Sequence, residues 1–203
     1  MAGDVTVQVV FANAGAHPDA ADGAVLSFEV IYDAQFAFVW RTVRRLGVAD
    51  EAVDDVVQEV FVVVHRRLGA GFENASVRSW VFSIVRRVVR NARRSLRRKP
   101  AHLGGAARAA DDVAFLAAPS GSNPQDAALH AEALRTVYAI LDGMPDDRRE
   151  VFVLAELEQM SIHEVAQAVG ANVNTVYSRL RAARADFDRA AARARARDEW
   201  RIR

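Results

Sequence analysis

Residues 162–184 read IHEVAQAVGANVNTVYSRLRAAR, and their spacing decides the fold. Ala166, Gly170 and Val176 stand where a helix-turn-helix needs a small residue, a left-handed glycine and an apolar anchor on the second helix. The pattern predicts a support helix over 161–169 and a reading helix over about 173–186. Either Asn172 or Asn174 is placed to cap the reader. Asn174, Thr175, Tyr177, Ser178, Arg179 and Arg181 supply donors and acceptors suited to base edges and phosphates. Any two packed helices can show the Ala and Gly spacing, so the polar, arginine-bearing reader is what favours DNA.

Outward from this motif, apolar residues recur at three and four almost everywhere, which predicts an all-α protein. Two small helical domains joined by a flexible linker are expected, the second carrying the helix-turn-helix. Residues 1–24 form an acidic lead rich in Ala, Gly and Asp, with VTVQVVF its only strand-like segment. The first unit covers 25–98, with helices over about 26–46, 50–67 and 77–98 and the loop GAGFENAS between the last two. Residues 99–125 hold three prolines and several glycines and read as the linker. The second unit covers 126–195, broken near GMPDD and VGANV, and 196–203 is left as a basic tail.

Composition narrows the function classes. The chain has 203 residues and 51% hydrophobic content, enough for one large core or two small ones, of which two are expected. It has no cysteine, and His17, His65, His102, His130 and His163 lack ligand-like spacing, so no metal site is expected. No apolar run is long enough for a membrane span, and the start MAGDVTVQVV lacks the pattern of a signal peptide, so the expected location is the cytoplasm. Paired carboxylates in a pocket, nucleophile motifs and phosphate-cradling glycine loops are also missing, which disfavours an enzyme.

Two helices carry surface chemistry. Over 50–67, Val53, Val56, Val57, Val60, Phe61 and Val64 make a core stripe, while Asp54, Asp55, Gln58 and Glu59 fill the remainder and Asp50 is the candidate cap. That polar face is either solvated or an acidic docking surface. In RRVVRNARRSLRRK, residues 86–99, eight of fourteen residues are basic and none is acidic, although the whole chain balances 27 basic against 26 acidic residues. Val77, Val81, Ile84, Val85, Val88 and Ala92 form its packing face, and Arg86, Arg90, Arg93, Arg94 and Arg97 its basic face. A solvated helix would intersperse acidic partners at i+4, so a nucleic-acid partner is favoured over bare solvent or an anionic membrane.

Taken together, AVDDVVQEVFVVVHRRL, FENASVRSWVFSIVRRVVRNARRSLRRK and LDGMPDDRREVFVLAELEQMSIHEVAQAVGANVNTVYSRLRAAR resemble, in order, regions 2 and 4 of extracytoplasmic-function sigma factors. The resemblance implies a dissociable subunit of bacterial RNA polymerase that reads −35 and −10 promoter elements, promotes strand opening and starts transcription of one regulon. By position it assigns Asp54, Asp55, Gln58 and Glu59 to the β′ clamp helices. Phe72, Glu73 and Asn74 become walls of a pocket for a flipped −10 base, and Arg86, Arg87, Arg90, Asn91 and Arg94 hold the −10 region. The helix-turn-helix takes the −35 element and its outer surface the β flap. The implied setting is cytoplasmic, nucleoid-associated when active, with no cofactor, no membrane insertion and an anti-sigma partner left open. The chain departs from the common family residues at Arg87, Asn91, Met144, Asn174, Tyr177 and Ala182. The rival reading is a helix-turn-helix regulator that works without polymerase.

Overall fold

The computed structural model describes residues 27–69, 75–98 and 123–201, which contain seven α-helices and no strand. The first unit is α1 (Phe28–Arg45), α2 (Asp50–Leu68) and α3 (Val77–Arg98). The second is α4 (Pro124–Asp142), α5 (Asp146–Phe152) running into a π-helical turn at Val153–Leu157, α6 (Ile162–Val169) and α7 (Val173–Arg201). The lead at 1–24 and the linker up to residue 122 lie outside the described residues. At the boundaries, α4 begins at Pro124, where proline's fixed φ suits a first helical turn, and α7 continues through 196–201 instead of ending in a separate tail.

Each helix follows from its pattern. Ser27 caps α1 by accepting from the Val30 amide, and Arg44 and Arg45 sit in its last turn, where the helix dipole favours cations. In α2 the six-residue apolar stripe is buried as spaced, together with Leu68. Its N-cap position is Ala49, which makes no side-chain bond; Asp50 lies one residue inside the helix and pairs with Arg44. Along α3 the packing face is broader than the simple stripe, because Phe82 and Val89 are also fully buried.

The cores are divided differently from the expected pair. Ile31, Phe38, Val57, Val81 and Val85 of the first unit share one apolar cluster with Val151, Leu154, Val165, Val169 and Val176 of the second. A smaller cluster, Leu141, Met144, Phe152, Val153 and Ala183, fills the far side of α5. The cause is α6, which is apolar on two sides: Ala166 and Val169 serve the turn to α7, while its other side meets α3. Arg149 crosses the same boundary. Its buried guanidinium donates to the carbonyls of Leu46 at 3.1 Å, Asp142 at 2.8 Å and Met144 at 3.0 Å. Gly47, at φ 81°, makes room for it, since a Cβ there would lie 2.4 Å from Nη1.

Candidate nucleic-acid and polymerase interface

On α2, Asp54, Asp55, Gln58 and Glu59 are all exposed, between the buried Val53, Val56, Val57 and Val60. They form one continuous polar face because the valine stripe fixes the helix's rotation against α1 and α3. Asp54 has a further tie, accepting from the Trp40 indole at 3.2 Å, which leaves Asp55, Gln58 and Glu59 as the outward set. Beside this face lies a groove of about 590 Å³ lined by Phe28, Tyr32, Phe36, Phe61, Val62 and His65, with Asp54 and Gln58 at its edge. Sequence reasoning did not single it out, although Phe28, Tyr32 and Phe36 recur at i, i+4 and i+8. Tyr32 packs on Phe61 at 4.6 Å between centroids and is still 37% exposed, so the groove presents aromatic surface to solvent.

The basic face of α3 is two stripes. Arg87, Asn91 and Arg94 point outward and are exposed. Arg86, Arg90 and Arg93 are turned towards the second unit, where the acidic partners missing from α3 itself are found. Glu150 Oε2 accepts from Arg86 Nε at 2.7 Å and its Oε1 from Arg90 Nη2 at 3.1 Å. Arg86 Nη1 also donates to the Val169 carbonyl at 2.9 Å, and Arg93 Nη1 donates to Asp146 at 2.6 Å. The expectation of a face without acidic partners therefore holds along the helix and fails across the fold. Phe72, Glu73 and Asn74 lie outside the described residues.

The helix-turn-helix is built as its spacing requires. A capping box starts α6, with Ser161 and Glu164 satisfying each other's backbone amides. Burial of Glu164 opposes its ionisation, but the bonds from the Ser161 backbone and hydroxyl outweigh it and hold the carboxyl below its ordinary value. Gly170 takes the left-handed conformation at φ 65°, and Ala166 and Val176 are buried. Asn172 resolves the choice of cap, its Oδ1 accepting from the Thr175 amide at 2.7 Å. Of the reader's residues, Asn174, Tyr177, Ser178 and Arg181 are exposed and Thr175 is half-buried. Arg179 is half-buried beside Asp147, with 3.4 Å from Nε to Oδ2, so α5 positions it. The reading surface is thus open in the same conformation that pairs Arg86, Arg90 and Arg93 of α3 with carboxylates.

Two models of known families match the chain in order: Sigma-70 region 2 over residues 31–99 and Sigma-70, region 4 over residues 134–187. A probable RNA polymerase sigma factor, RfaY, of Xanthomonas campestris is 34% identical over 134 residues, 66% of this chain and 32% of the relative. The ECF RNA polymerase sigma-E factor of Escherichia coli K12 is 30% identical over 137 residues, 67% of this chain and 72% of the relative. Among solved structures, CnrH in complex with the cytosolic domain of CnrY shares the fold at a TM-score of 0.57 and 24% identity, covering 79% of this chain and 84% of that one. The sigma factor RpoE of Bartonella quintana, crystallised with the anti-sigma factor NepR, matches at a TM-score of 0.55 and 17% identity over 79% and 96% of the two chains. With both sigma-70 regions present in their order and most of a sigma-E factor spanned, the chain belongs to the extracytoplasmic-function family of RNA polymerase sigma factors, the polymerase-binding, promoter-specific factors of transcription initiation.

Proposed function

We propose that the chain docks on the β′ clamp helices of core RNA polymerase through Asp55, Gln58 and Glu59 of α2, with Asp54 and the aromatic groove at the edge of the contact. The reader α7 takes the −35 element through Asn174, Thr175, Tyr177, Ser178, Arg179 and Arg181, with its outer surface towards the β flap. Helix α3 holds the −10 strands through Arg86, Arg87, Arg90, Asn91 and Arg94, while Phe72, Glu73 and Asn74 receive a flipped base. Strand opening on this reading is driven by binding energy, and the chain carries no catalytic reaction of its own. No helix among the described residues is long and apolar enough to cross a membrane, and the proposed place of action is the cytoplasm, at the nucleoid. The Bartonella chain is held by an anti-sigma factor, and a partner of that kind is the proposed regulator here.

The observation that carries this reading is the division of α3 into a packing face and a basic face with no acidic residue of its own. Phosphate is the partner that uses such a face, because each neutralised phosphate releases counterions. The test is a holoenzyme reconstituted with the full chain, its promoters found by sequencing the transcripts made from genomic DNA. On such a promoter, Arg86→Ala with Arg90→Ala should lose the permanganate-reactive bubble. A wild-type bubble would remove α3 from strand opening.

A further inference from the structure

Where the two units meet, carboxylates of the second occupy guanidiniums of the first. Glu158 is only 5% exposed. Its Oε2 accepts from Arg41 Nη2 and from Arg78 Nη2, each at 3.1 Å, and its Oε1 from Arg41 Nε at 3.3 Å and from Arg45 Nη1. Arg78 Nη1 adds a bond to the Glu158 carbonyl at 3.4 Å. All three arginines belong to the other unit, Arg41 and Arg45 on α1 and Arg78 on α3. A carboxylate this deep is tolerable only when paired and hydrogen-bonded, so the seam is built around it.

The backbone that delivers Glu158 is itself unusual. The π-helical turn Val153–Leu157 ends on it, the Glu158 amide donating to the Val153 carbonyl at 2.9 Å. Gln159 follows at φ 54°, a left-handed conformation that a non-glycine residue adopts under constraint. Both distortions aim the carboxylate into the other unit. Further along the seam, Glu150 and Asp146 pair with Arg86, Arg90 and Arg93 at i, i+4 and i+7 of α3, although Arg90 keeps about half of its side chain, 51%, exposed.

We propose that this packing is a self-closed state of the free chain, in which Asp146 and Glu150 stand in for promoter phosphates on the inner stripe of α3 and Glu158 is the latch that fixes the second unit there. The proposal rests on reading α3 as the helix that holds DNA. Opening exchanges carboxylate for phosphate at Arg86, Arg90 and Arg93, so those charges find new partners. Glu158 moves from three guanidiniums into water. The cost of releasing Glu158 keeps the free chain closed, and the gain at the inner stripe draws it open once DNA is held against it.

The chain has no cysteine, so Glu51→Cys on α2 and Arg193→Cys on α7, both exposed, allow paired dyes to report the separation of the units. In that background, Glu158→Gln and Glu150→Gln should each lower energy transfer while helical circular dichroism is retained. Each should also raise the free chain's affinity for a mixed-sequence single-stranded DNA oligonucleotide. The gain approaches about tenfold if the closed state holds roughly nine molecules in ten, because apparent affinity scales with the competent fraction. Asp188→Asn, which removes one exposed negative charge from α7, is the control; a gain no larger than its own would reduce the effect to net charge and overturn the proposal. Unchanged transfer in both variants overturns it as well. If a variant fails to fold, the wild-type labelled chain decides, since saturation with the oligonucleotide must lower transfer, and constant transfer at saturation refutes the closed state. Loss of the bubble in the Arg86→Ala, Arg90→Ala holoenzyme, with no gain in the free Glu158→Gln chain, would sink the latch and leave the reading of α3 intact.

Discussion

Gly47 and Gly170 both have positive φ, at 81° and 65°, yet their surroundings differ. A Cβ at Gly170 would meet nothing within 4 Å, so Gly170→Ala costs only the left-handed strain, about 1–2 kcal/mol. At Gly47 the same strain is joined by a collision with Arg149 Nη1, whose guanidinium is fixed by three carbonyls. Gly47→Ala should therefore be the more destabilising of the two, and urea denaturation of the full chain should rank them in that order; equal losses would mean that Arg149 yields freely. The two glycines also mark what a sequence discloses at this scale. Gly170 was legible because its turn, its support helix and its anchor lie within a few residues of it. Gly47 separates two predicted helices, but its need for an absent side chain comes from a residue whose acceptor partner, Leu46, is 103 positions away.

At the scale of the element, α2 and α6 were readable because their determinants are periodic and local. In α2 the exposed Asp54, Asp55, Gln58 and Glu59 alternate with buried valines as the spacing demands. Helix α3 was only half readable. Its basic composition is plain, but the separation of Arg86, Arg90 and Arg93 from Arg87, Asn91 and Arg94 depends on Glu150 and Asp146, which lie 53 to 64 residues further on. The capping box of α6 gives this scale its prediction. Because the folded state holds the Glu164 carboxyl below its ordinary value of 4.5, ionised Glu164 stabilises the folded state above that pH, and the contribution is lost as pH falls through the lower folded value. Ser161→Ala removes the hydroxyl bonds that hold the carboxyl down and should cost about 0.5–2 kcal/mol at neutral pH. It should also flatten the pH dependence of stability on the acid side of 4.5, and an unaltered acid limb in a denaturation series would assign that slope to other carboxylates.

For the whole molecule, the surfaces proposed for polymerase and for the −35 element are open together, whereas the inner stripe of α3 is tied up in ion pairs with the second unit, Arg86 and Arg93 half-buried and Arg90 still exposed. Docking can therefore begin from the closed arrangement. Asp55→Arg with Gln58→Arg cancels the net negative charge of the α2 face without touching the Trp40 bond to Asp54, so the chain should stay folded and capture of core polymerase should fall. Undiminished capture would place the contact on the aromatic groove or elsewhere. The two-unit organisation was legible from the break in amphipathic pattern at 99–125. The merging of their cores was not, because α6 is too short for its pattern to show that it is buried on two sides. Arg149 adds something about any partner that parts the units. Withdrawing the second unit strands the Leu46 carbonyl and frees a guanidinium donor at one point on the seam. An invading chain that offers a backbone carbonyl to Arg149 and an amide to Leu46 would satisfy both of the groups that the one broken bond leaves. A short strand-like or helix-end segment meets that requirement and a purely apolar wedge does not, so the seam favours intruders by their main chain as well as by their side chains.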